Sequence, residues 1–233
     1  MKKIAFTLDI DWAPEEVIQY ALTIFSLYKV KCTLFCTHES EVIKNADKEL
    51  FEIAIHPNFN DLLFEKKINV AEDTLDELLA IYPDAKGVRS HSLTQSSSLQ
   101  LLFASKGLKY DSNNYLPTKD IISPYKCWTG MTRIPFHWED DIHFLQGKSF
   151  TDEFDQNVKP NDCLVLNFHP IHVFLNTDKE ETYKKEKLNY HNVKKLKEGI
   201  NNDNVGTRDF LINQLERVKK NDCTHYNLNE FII

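Results

Sequence analysis

Residues 6–14 read Phe-Thr-Leu-Asp-Ile-Asp-Trp-Ala-Pro and complete a short apolar run that begins at residue 3. An apolar run bounded by a Pro is typical of a buried β-strand. Because side chains alternate across a strand, Asp9 and Asp11 are expected on the same face, where the strand ends. Two carboxylates this close repel each other unless a cation or a shared proton offsets their charge. The stretch therefore predicts either a metal site in an α/β fold or an Asp-x-Asp cap on the following helix.

The composition of the 233 residues is that of an ordinary globular chain, with 42% hydrophobic and 27% charged residues. This length fits one large α/β domain with a sizeable core. The net charge of −7 argues against general nucleic-acid binding, which needs a basic surface. We expect no membrane span and no signal peptide, because no apolar run is long enough. The five cysteines, an odd number, are expected to be reduced thiols of a cytoplasmic protein.

Apolar runs and helical patterns alternate along the chain. The patterns predict strands at residues 3–8, 29–36, 51–55, 86–89, 107–110, 163–168 and 223–226, and helices at residues 14–28, 70–82, 96–104 and 206–219. Strands that alternate with helices imply a parallel sheet or barrel. Residues 176–204 are rich in Lys, Glu, Asn and Asp, which predicts a solvated loop insertion. The chain is therefore expected to form a single domain over residues 1–233 with a polar loop at 176–204.

The side chains that could do chemistry follow the predicted strands at their C-terminal ends. They are Asp9, Asp11, His56, Arg89, His91 and His169. In a barrel of parallel strands these ends converge on one face, whereas scattered core histidines would show no such preference. His56 next to the Asp pair is a candidate nitrogen ligand for zinc, although a histidine after an apolar strand is also a common core residue.

Residues 135–141 read Pro-Phe-His-Trp-Glu-Asp-Asp and hold three further candidates. Asp140 and Asp141 either cap a loop, or orient and charge-stabilise a histidine or arginine from a neighbouring strand. Trp138 either belongs to the core or forms an apolar wall that stacks on a sugar ring, and Trp12 is a second candidate for substrate contact. A metal, a free carboxylate and a separate histidine together favour hydrolysis of an acyl bond. In that reaction the carboxylate takes a proton from water and the histidine protonates the leaving amine.

The order of these motifs resembles the polysaccharide deacetylases with a NodB-homology domain, carbohydrate esterase family four. The resemblance rests on residues 7–11, 33–35, 52–57, 87–89 and 166–169, and it covers the chain to about residue 172. The sequence motifs Asp-Ile-Asp-Trp, Arg-Ser-His-Ser and Trp-Glu-Asp-Asp resemble those of the WbmS-like branch, which is linked to bacterial O-antigen biosynthesis. The resemblance implies a distorted (β/α) barrel of about seven parallel strands and a mononuclear metal, usually zinc. It also implies removal of acetyl groups from sugars.

Carried over by motif, the resemblance implies a role for each residue at the strand ends. Asp9 would be the catalytic base, Arg89 the residue that holds it, and His169 the acid. Asp141, as the group that orients a histidine or arginine, completes the predicted catalytic set.

Asp11 and His56 would be metal ligands by the same resemblance. The family's second metal histidine would fall four residues after the first, and this chain has Asn60 there. The third ligand is therefore either Asn60 or His91. We favour His91 because imidazole is the better zinc ligand, and we retain Asn60 as a candidate substrate contact.

The preferred hypothesis is thus a metal-dependent hydrolase that removes an acyl group from a sugar or polysaccharide precursor. Its cofactor would be Zn²⁺, or another divalent metal such as Co²⁺, Ni²⁺ or Mn²⁺. Two alternatives remain. Asp9 and Asp11 also resemble the nucleophile loop of haloacid-dehalogenase-type phosphatases, a reading that leaves the histidines idle, and a non-catalytic barrel could keep the pocket as a carbohydrate-binding module. The sequence leaves the oligomeric state open.

Overall fold

The computed structural model describes residues 2–61, 69–116, 121–150 and 162–233. Its described strands are β1 (Lys2–Asp9), β2 (Cys32–Cys36), β3 (Phe51–Ile55), β4 (Gly87–Val88), β5 (Tyr110–Asp111), β6 (Tyr125–Lys126), β7 (Thr132–Arg133), β8 (Trp138–Glu139), β9 (Cys163–Phe168) and β10 (Cys223–Tyr226). Its described helices are α1 (Glu15–Tyr28), α2 (Glu41–Lys44), α3 (Asn69–Ile81), α4 (Ser97–Ser105), α5 (Asp140–Leu145), α6 (Pro170–Leu175), α7 (Glu180–Glu186), α8 (Val193–Glu198) and α9 (Thr207–Lys219). None of these helices has the length and hydropathy that a membrane span requires.

The strands form one curled sheet in the order β6-β7-β5-β4-β3-β2-β1-β9-β8, and β10 pairs with β1. Every pairing is parallel except that between β6 and β7. A parallel bridge between Tyr115 and Phe136 joins the segment after β5 to the segment before β8. The sheet therefore bends back towards itself. The predicted distorted (β/α) barrel is confirmed, with several very short strands in addition to the predicted ones.

Strand β1 lies at the centre of the sheet because it pairs with β2, β9 and β10. Its side chains alternate as a strand requires. Ile4, Phe6 and Leu8 pack in the large core shared with the helices, whereas Ala5 belongs to a smaller cluster inside the barrel. A strand buried on both faces reads as a continuous apolar run, which is the pattern seen in the sequence.

Two sequence expectations about the elements differ from the structure. The strand predicted at 107–110 is found at Tyr110–Asp111, because Gly107 has a φ of +85° and ends the preceding helix in a turn. Residues 176–204 are largely solvent-accessible, as predicted, but they are not a loop throughout: they contain α7, α8 and a 3₁₀ turn, with Leu196 fully buried. An apolar anchor such as Leu196 is enough to hold short helices on the core, so low apolar content did not predict them.

Candidate active site

The C-terminal ends of β1, β3, β4 and β9 meet on one face of the barrel. The six side chains predicted there lie within one connected set of contacts: Asp9, Asp11, His56, Arg89, His91 and His169. Most of these groups are buried, and Asp11 and His91 keep about a fifth to a quarter of their side-chain surface exposed, at 21% and 25%. The site is therefore a polar cluster at the mouth of the barrel rather than a surface patch.

A strained turn after β1 positions Asp11. Asp11 and Trp12 have φ values of +43° and +56°, and the N–H of Ala13 donates to the carbonyl of Ile10 at 2.9 Å. Residues with a Cβ rarely adopt this left-handed conformation, which costs about 1–2 kcal/mol per residue. Two hydrogen bonds hold the turn: the hydroxyl of Tyr190 donates to the carbonyl of Asp11 at 2.6 Å, and the N–H of Trp12 donates to a threonine hydroxyl at 2.9 Å. The turn directs the Asp11 carboxylate back towards the histidines.

Asp11, His56 and His91 have the geometry of a metal centre. Oδ1 of Asp11 lies 3.2 Å from Nε2 of His56 and 3.2 Å from Nδ1 of His91. A tetrahedral ion with bonds of about 2.0–2.1 Å separates its ligand atoms by about 3.3 Å. Nδ1 of His56 is 2.6 Å from the carbonyl oxygen of Arg89, which can only accept a hydrogen bond. Nδ1 therefore carries a proton and Nε2 faces the cluster, the ring orientation that a metal-binding histidine requires.

Electrostatics keep the Asp11 carboxylate of this cluster in the ionised form that a cation needs. Burial acts to raise the pKa of Asp11, but hydrogen bonds with His56 and His91 hold it well below its usual range. The hydrogen bond with Asp11 raises the pKa of His91, so a bound cation would have to displace a proton from that ring. An ionised carboxylate between two imidazoles is a donor set that suits a divalent cation. The residues present therefore fit the group that the sequence predicted.

Asp9 lies in a different environment from Asp11. Its Oδ1 accepts a hydrogen bond from Nη1 of Arg89 at 2.8 Å, and its Oδ2 is 3.7 Å from Nε2 of His56. Arg89 is completely buried, and its guanidinium lies between the rings of Phe35 and Phe136 at 4.2 and 4.4 Å from their centroids. A buried charge pair of this kind holds its geometry because breaking it leaves an uncompensated charge. The carboxylate of Asp9 is thus fixed next to the cluster of Asp11, His56 and His91.

Asn167 is a member of this network that the sequence reasoning missed. Its Oδ1 accepts from Nη1 of Arg89 at 2.6 Å and from the hydroxyl of Thr7 at 2.6 Å. Since Arg89 can only donate, the amide orientation is fixed and Nδ2 donates to Oδ2 of Asp9 at 3.0 Å. The available signal was a single polar residue in the otherwise apolar strand β9, two positions before His169.

His169 faces the cluster from the opposite side. Its Nε2 is 3.5 Å from Oδ2 of Asp11, and its Nδ1 is 2.6 Å from Oδ1 of Asp140. The backbone N–H of His169 donates to the other oxygen of Asp140 at 2.8 Å. Burial acts to lower the pKa of His169, but the charges of Asp140 and Asp141 raise it well above its ordinary value. His169 is therefore held as a proton donor.

Asp140 and Asp141 take different histidines, a division that the sequence prediction did not make, since it placed only Asp141 in the catalytic set. Asp140 orients His169, whereas Oδ1 of Asp141 lies 2.8 Å from Nε2 of His172. Asp140 is the first residue of α5 and is completely buried, while the side chain of Asp141 is 48% exposed. One ligand atom of each of these four residues lies within 4.8 Å of the others. Contacts of 2.6 and 2.8 Å are nevertheless hydrogen-bond distances, too short for two ligands of one tetrahedral zinc ion.

Comparison with known proteins is in line with this geometry. Residues 6–187 match the family of WbmS-like polysaccharide deacetylases. The chain belongs to this family. WbmS of Bordetella bronchiseptica, assigned as a polysaccharide deacetylase involved in O-antigen biosynthesis, is 35% identical, with a TM-score of 0.86 over 92% of this chain and 90% of that one. No curated protein matches the chain in sequence comparison.

More distant structures share the fold of this WbmS-like deacetylase. The Bc1960 peptidoglycan N-acetylglucosamine deacetylase is 14% identical, with a TM-score of 0.52 over 99% of this chain and 87% of that one. BA3943 from Bacillus anthracis, a pseudoenzyme of carbohydrate esterase family four, is 12% identical, with a TM-score of 0.51 over 99% of this chain and 65% of that one. At these identities the likeness concerns the barrel alone.

The predicted substrate contacts of the WbmS-like chain divide into three outcomes. Trp138 is a core residue and not a pocket wall: it is 4% exposed and packs on Phe168 and Phe210, with centroids 4.9 and 4.6 Å apart. Asn60 lies outside the group of Asp11, His56 and His91, and its amide donates to the hydroxyl of Ser92 at 3.2 Å. Trp12 lies at the mouth, 38% exposed, with its ring edge-to-face with His91 at 5.3 Å. A role for Trp12 in substrate binding remains a prediction.

Proposed function

We propose that the chain is a metal-dependent deacetylase that hydrolyses an N- or O-acetyl group on a sugar. The observation that carries this proposal is the division of labour between the two carboxylates after β1. Asp11 faces two imidazole nitrogens at 3.2 Å, while Asp9 is paired with Arg89 at 2.8 Å. The same site thus contains a donor set for a cation, a separate carboxylate, and an opposed protonated histidine.

In this proposal Asp11, His56 and His91 hold the cation, which we take to be zinc because one carboxylate and two imidazoles suit it. When bound, the cation polarises the acyl carbonyl and lowers the pKa of a water molecule, from about 15.7 to about 7 in the best cases. Co²⁺, Ni²⁺ and Mn²⁺ accept similar donors, so metal analysis decides among them.

The chain's own residues then supply the proton transfers. Asp9 takes a proton from the attacking water, and Arg89 and Asn167 keep its carboxylate in place while leaving lone-pair positions for that proton. His169 gives its Nε2 proton to the departing nitrogen or oxygen, and Asp140 holds the ring through Nδ1. The products are acetate and the free amine or hydroxyl.

We further propose that the substrate is a precursor of a bacterial surface polysaccharide, acted on in the cytoplasm. The identity to WbmS of Bordetella bronchiseptica over nearly the whole length supports the first part. None of the five cysteines, which all lie in the described ranges, forms a disulfide, in line with a reducing compartment. Cell fractionation with an antibody tests the location.

The deciding experiment measures metal content and acetate release together. We expect about one divalent ion per chain, loss of acetate release from N-acetylglucosamine oligosaccharides and O-acetylated sugars on chelation, and recovery when Zn²⁺ is restored. Asp11→Ala should abolish both metal binding and hydrolysis. A protein that binds no metal, and in which Asp11→Ala changes nothing, would refute the proposal.

The two alternatives are less favoured. A phosphatase reading leaves His56, His91 and His169 without a role, whereas all three contact the Asp11 carboxylate. A binding module would bind the same sugars with no acetate released after zinc is restored, and calorimetry alongside the acetate assay separates that outcome from catalysis.

A further inference from the structure

The hydrogen bond between Asp141 and His172 has no task in the mechanism above, to which Asp141 contributes only its charge near His169. Oδ1 of Asp141 accepts a hydrogen bond from Nε2 of His172 at 2.8 Å. Nδ1 of His172 lies 3.1 Å from the hydroxyl of Thr177, so both ring nitrogens are engaged. The ring is also fixed edge-to-face by Tyr183 and Phe144, with centroids 4.5 and 5.0 Å away. A buried and rigid histidine therefore sets the position of one carboxylate.

That carboxylate is half exposed. The side chain of His172 is 2% exposed and that of Asp141 48%. Oδ2 of Asp141 accepts no hydrogen bond from any residue in the described part of the chain. An exposed carboxylate is stable in water without a dedicated partner, and exposed ion pairs contribute little to stability. The contact gives the buried N–H of His172 its acceptor, and it uses only one of the two oxygens of Asp141.

The location of Asp141 suggests what its second oxygen meets. A carboxylate oxygen of Asp141 lies in the group whose atoms, including a ring nitrogen of His169, are all within 4.8 Å of one another. His169 is the residue that protonates the leaving group, so Asp141 lies on the side of the site where the departing sugar must be. Sugar hydroxyl and amino groups are hydrogen-bond donors that a fixed carboxylate recognises.

We propose that Asp141 is a substrate-binding residue, whose Oδ2 accepts a hydrogen bond from a hydroxyl or amino group of the sugar that carries the acetyl group. His172 is its positioning residue. This inference rests on the proposed deacetylase function and adds the recognition of the leaving sugar to it. Asp140 would then contribute to the reaction by orienting His169, and Asp141 by binding the sugar.

The experiment compares an acetylated sugar with p-nitrophenyl acetate, which carries no sugar. Loss of a hydrogen bond to a charged group corresponds to about tenfold or more in kcat/KM. For Asp141→Ala we expect that loss on the N-acetylglucosamine oligosaccharide, mainly as a rise in KM, and a loss at least fivefold smaller on p-nitrophenyl acetate. Glu77→Ala removes an exposed charge from α3 and serves as the matched control, with both rates unchanged.

Variants of His172 separate positioning from folding. His172→Gln can still donate to Asp141 from its side-chain amide, and we expect it to retain a lower KM than His172→Ala, with equal metal content in both. If His172→Gln and His172→Ala have the same KM as the wild type, His172 does not position the substrate contact.

Equal losses on the two substrates, or no loss on either, would overturn the role of Asp141. Failure of the deacetylase function has a different signature, since the wild type would then release acetate from neither substrate. In that case calorimetry with the N-acetylglucosamine oligosaccharide still tests whether Asp141 contacts the sugar. Weaker binding to Asp141→Ala than to the wild type supports the contact, and unchanged or absent binding refutes it.

Discussion

Two pairs of neighbouring carboxylates form opposite sides of the mouth, and they are separated in different ways. Asp9 and Asp11 stand two residues apart, and a left-handed turn moves the second away from the strand. Asp140 and Asp141 are consecutive and start a helix, so one is completely buried while the other is half exposed. On the first side the backbone conformation separates the two roles. On the second side burial does.

The partners of the two pairs explain why each separation is stable. On the β1 side, Arg89 neutralises Asp9, and the imidazoles of His56 and His91 surround Asp11. On the other side each carboxylate has its own histidine. Like charges this close persist only where each has a separate counter-group. Adjacent acids in a sequence are therefore not interchangeable, because the role of each follows from its partner.

The largest expected effect comes from replacing each aspartate of the first pair by asparagine, which keeps the shape of the side chain and removes its charge. Asp9→Asn should keep the metal and reduce kcat by about 10²–10⁴-fold, the range for removing a general base. Asp11→Asn should lower metal affinity, because the amide is a weaker ligand for zinc than a carboxylate. Metal analysis after dialysis, run beside the acetate assay, tests the contrast. Equal metal loss in the two variants would mean that the two carboxylates share one role.

The second pair should respond unequally in kcat. Asp140→Asn removes the charge that holds His169 as an acid, so we expect kcat to fall about 10²–10⁴-fold with metal content unchanged. Asp141→Asn leaves the hydrogen bond between Asp140 and His169 intact and should change kcat far less. Steady-state rates at saturating substrate decide the point. If Asp141→Asn reduces kcat as much as Asp140→Asn does, the assignment of His169 to Asp140 is wrong.

His137 shows how the pKa of a buried histidine behaves when burial outweighs the one carboxylate that acts on it, Asp162. It is 2% exposed, its Nδ1 accepts from the N–H of Val165 at 3.1 Å, and burial lowers its pKa to about 4. A depressed pKa means that the unfolded chain binds the extra proton, so stability is lost as pH falls from about 6.5 towards 4. The loss should approach about 3 kcal/mol. Urea unfolding at several pH values, for the wild type and His137→Gln, measures it.

A pH slope as steep in His137→Gln as in the wild type would assign the effect to other groups. That result would remove the stability evidence for a lowered pKa at His137, on which the contrast with His169 depends. His169 is equally buried, but the neighbouring carboxylates raise its pKa instead of lowering it. The two histidines lie near the same strands, β8 and β9, so the carboxylate hydrogen-bonded to His169 is the main difference between them.

The alternation of strands with helices and the polar residues at strand ends were sufficient to predict a parallel sheet or barrel and most of the polar cluster, whereas the distorted (β/α) barrel came from the family resemblance. They work for β1 and β9 because a strand buried on both faces leaves few positions for polar groups. Asn167 was missed because the search was for ionisable side chains at strand ends, and Asn167 is a neutral amide inside β9. The same search could not separate Asp140 from Asp141, since that depends on the residue at which β8 gives way to α5. Trp138 was misjudged because Phe210 of α9, far along the chain, covers it.

The smallest expected effect concerns residues 176–204, where the sequence predicted a loop and the structure contains short helices. Tyr190 reaches from this segment to the strained turn and donates to the carbonyl of Asp11 at 2.6 Å. Tyr190→Phe keeps the ring and removes the hydroxyl, so we expect a stability loss of about 1 kcal/mol. We also expect metal affinity to fall, by about tenfold at the low end of the range for a residue that supports a ligand.

The control for Tyr190→Phe is Tyr125→Phe, because Tyr125 is exposed on β6 and far along the sheet from β1. Competition with a fluorescent zinc chelator measures the affinity, and urea unfolding measures the stability. A stability loss with unchanged metal affinity would mean that the turn after β1 holds Asp11 without help from this segment. A loss in both quantities would mean that the lysine-rich segment completes the metal centre, although no residue in it is a ligand.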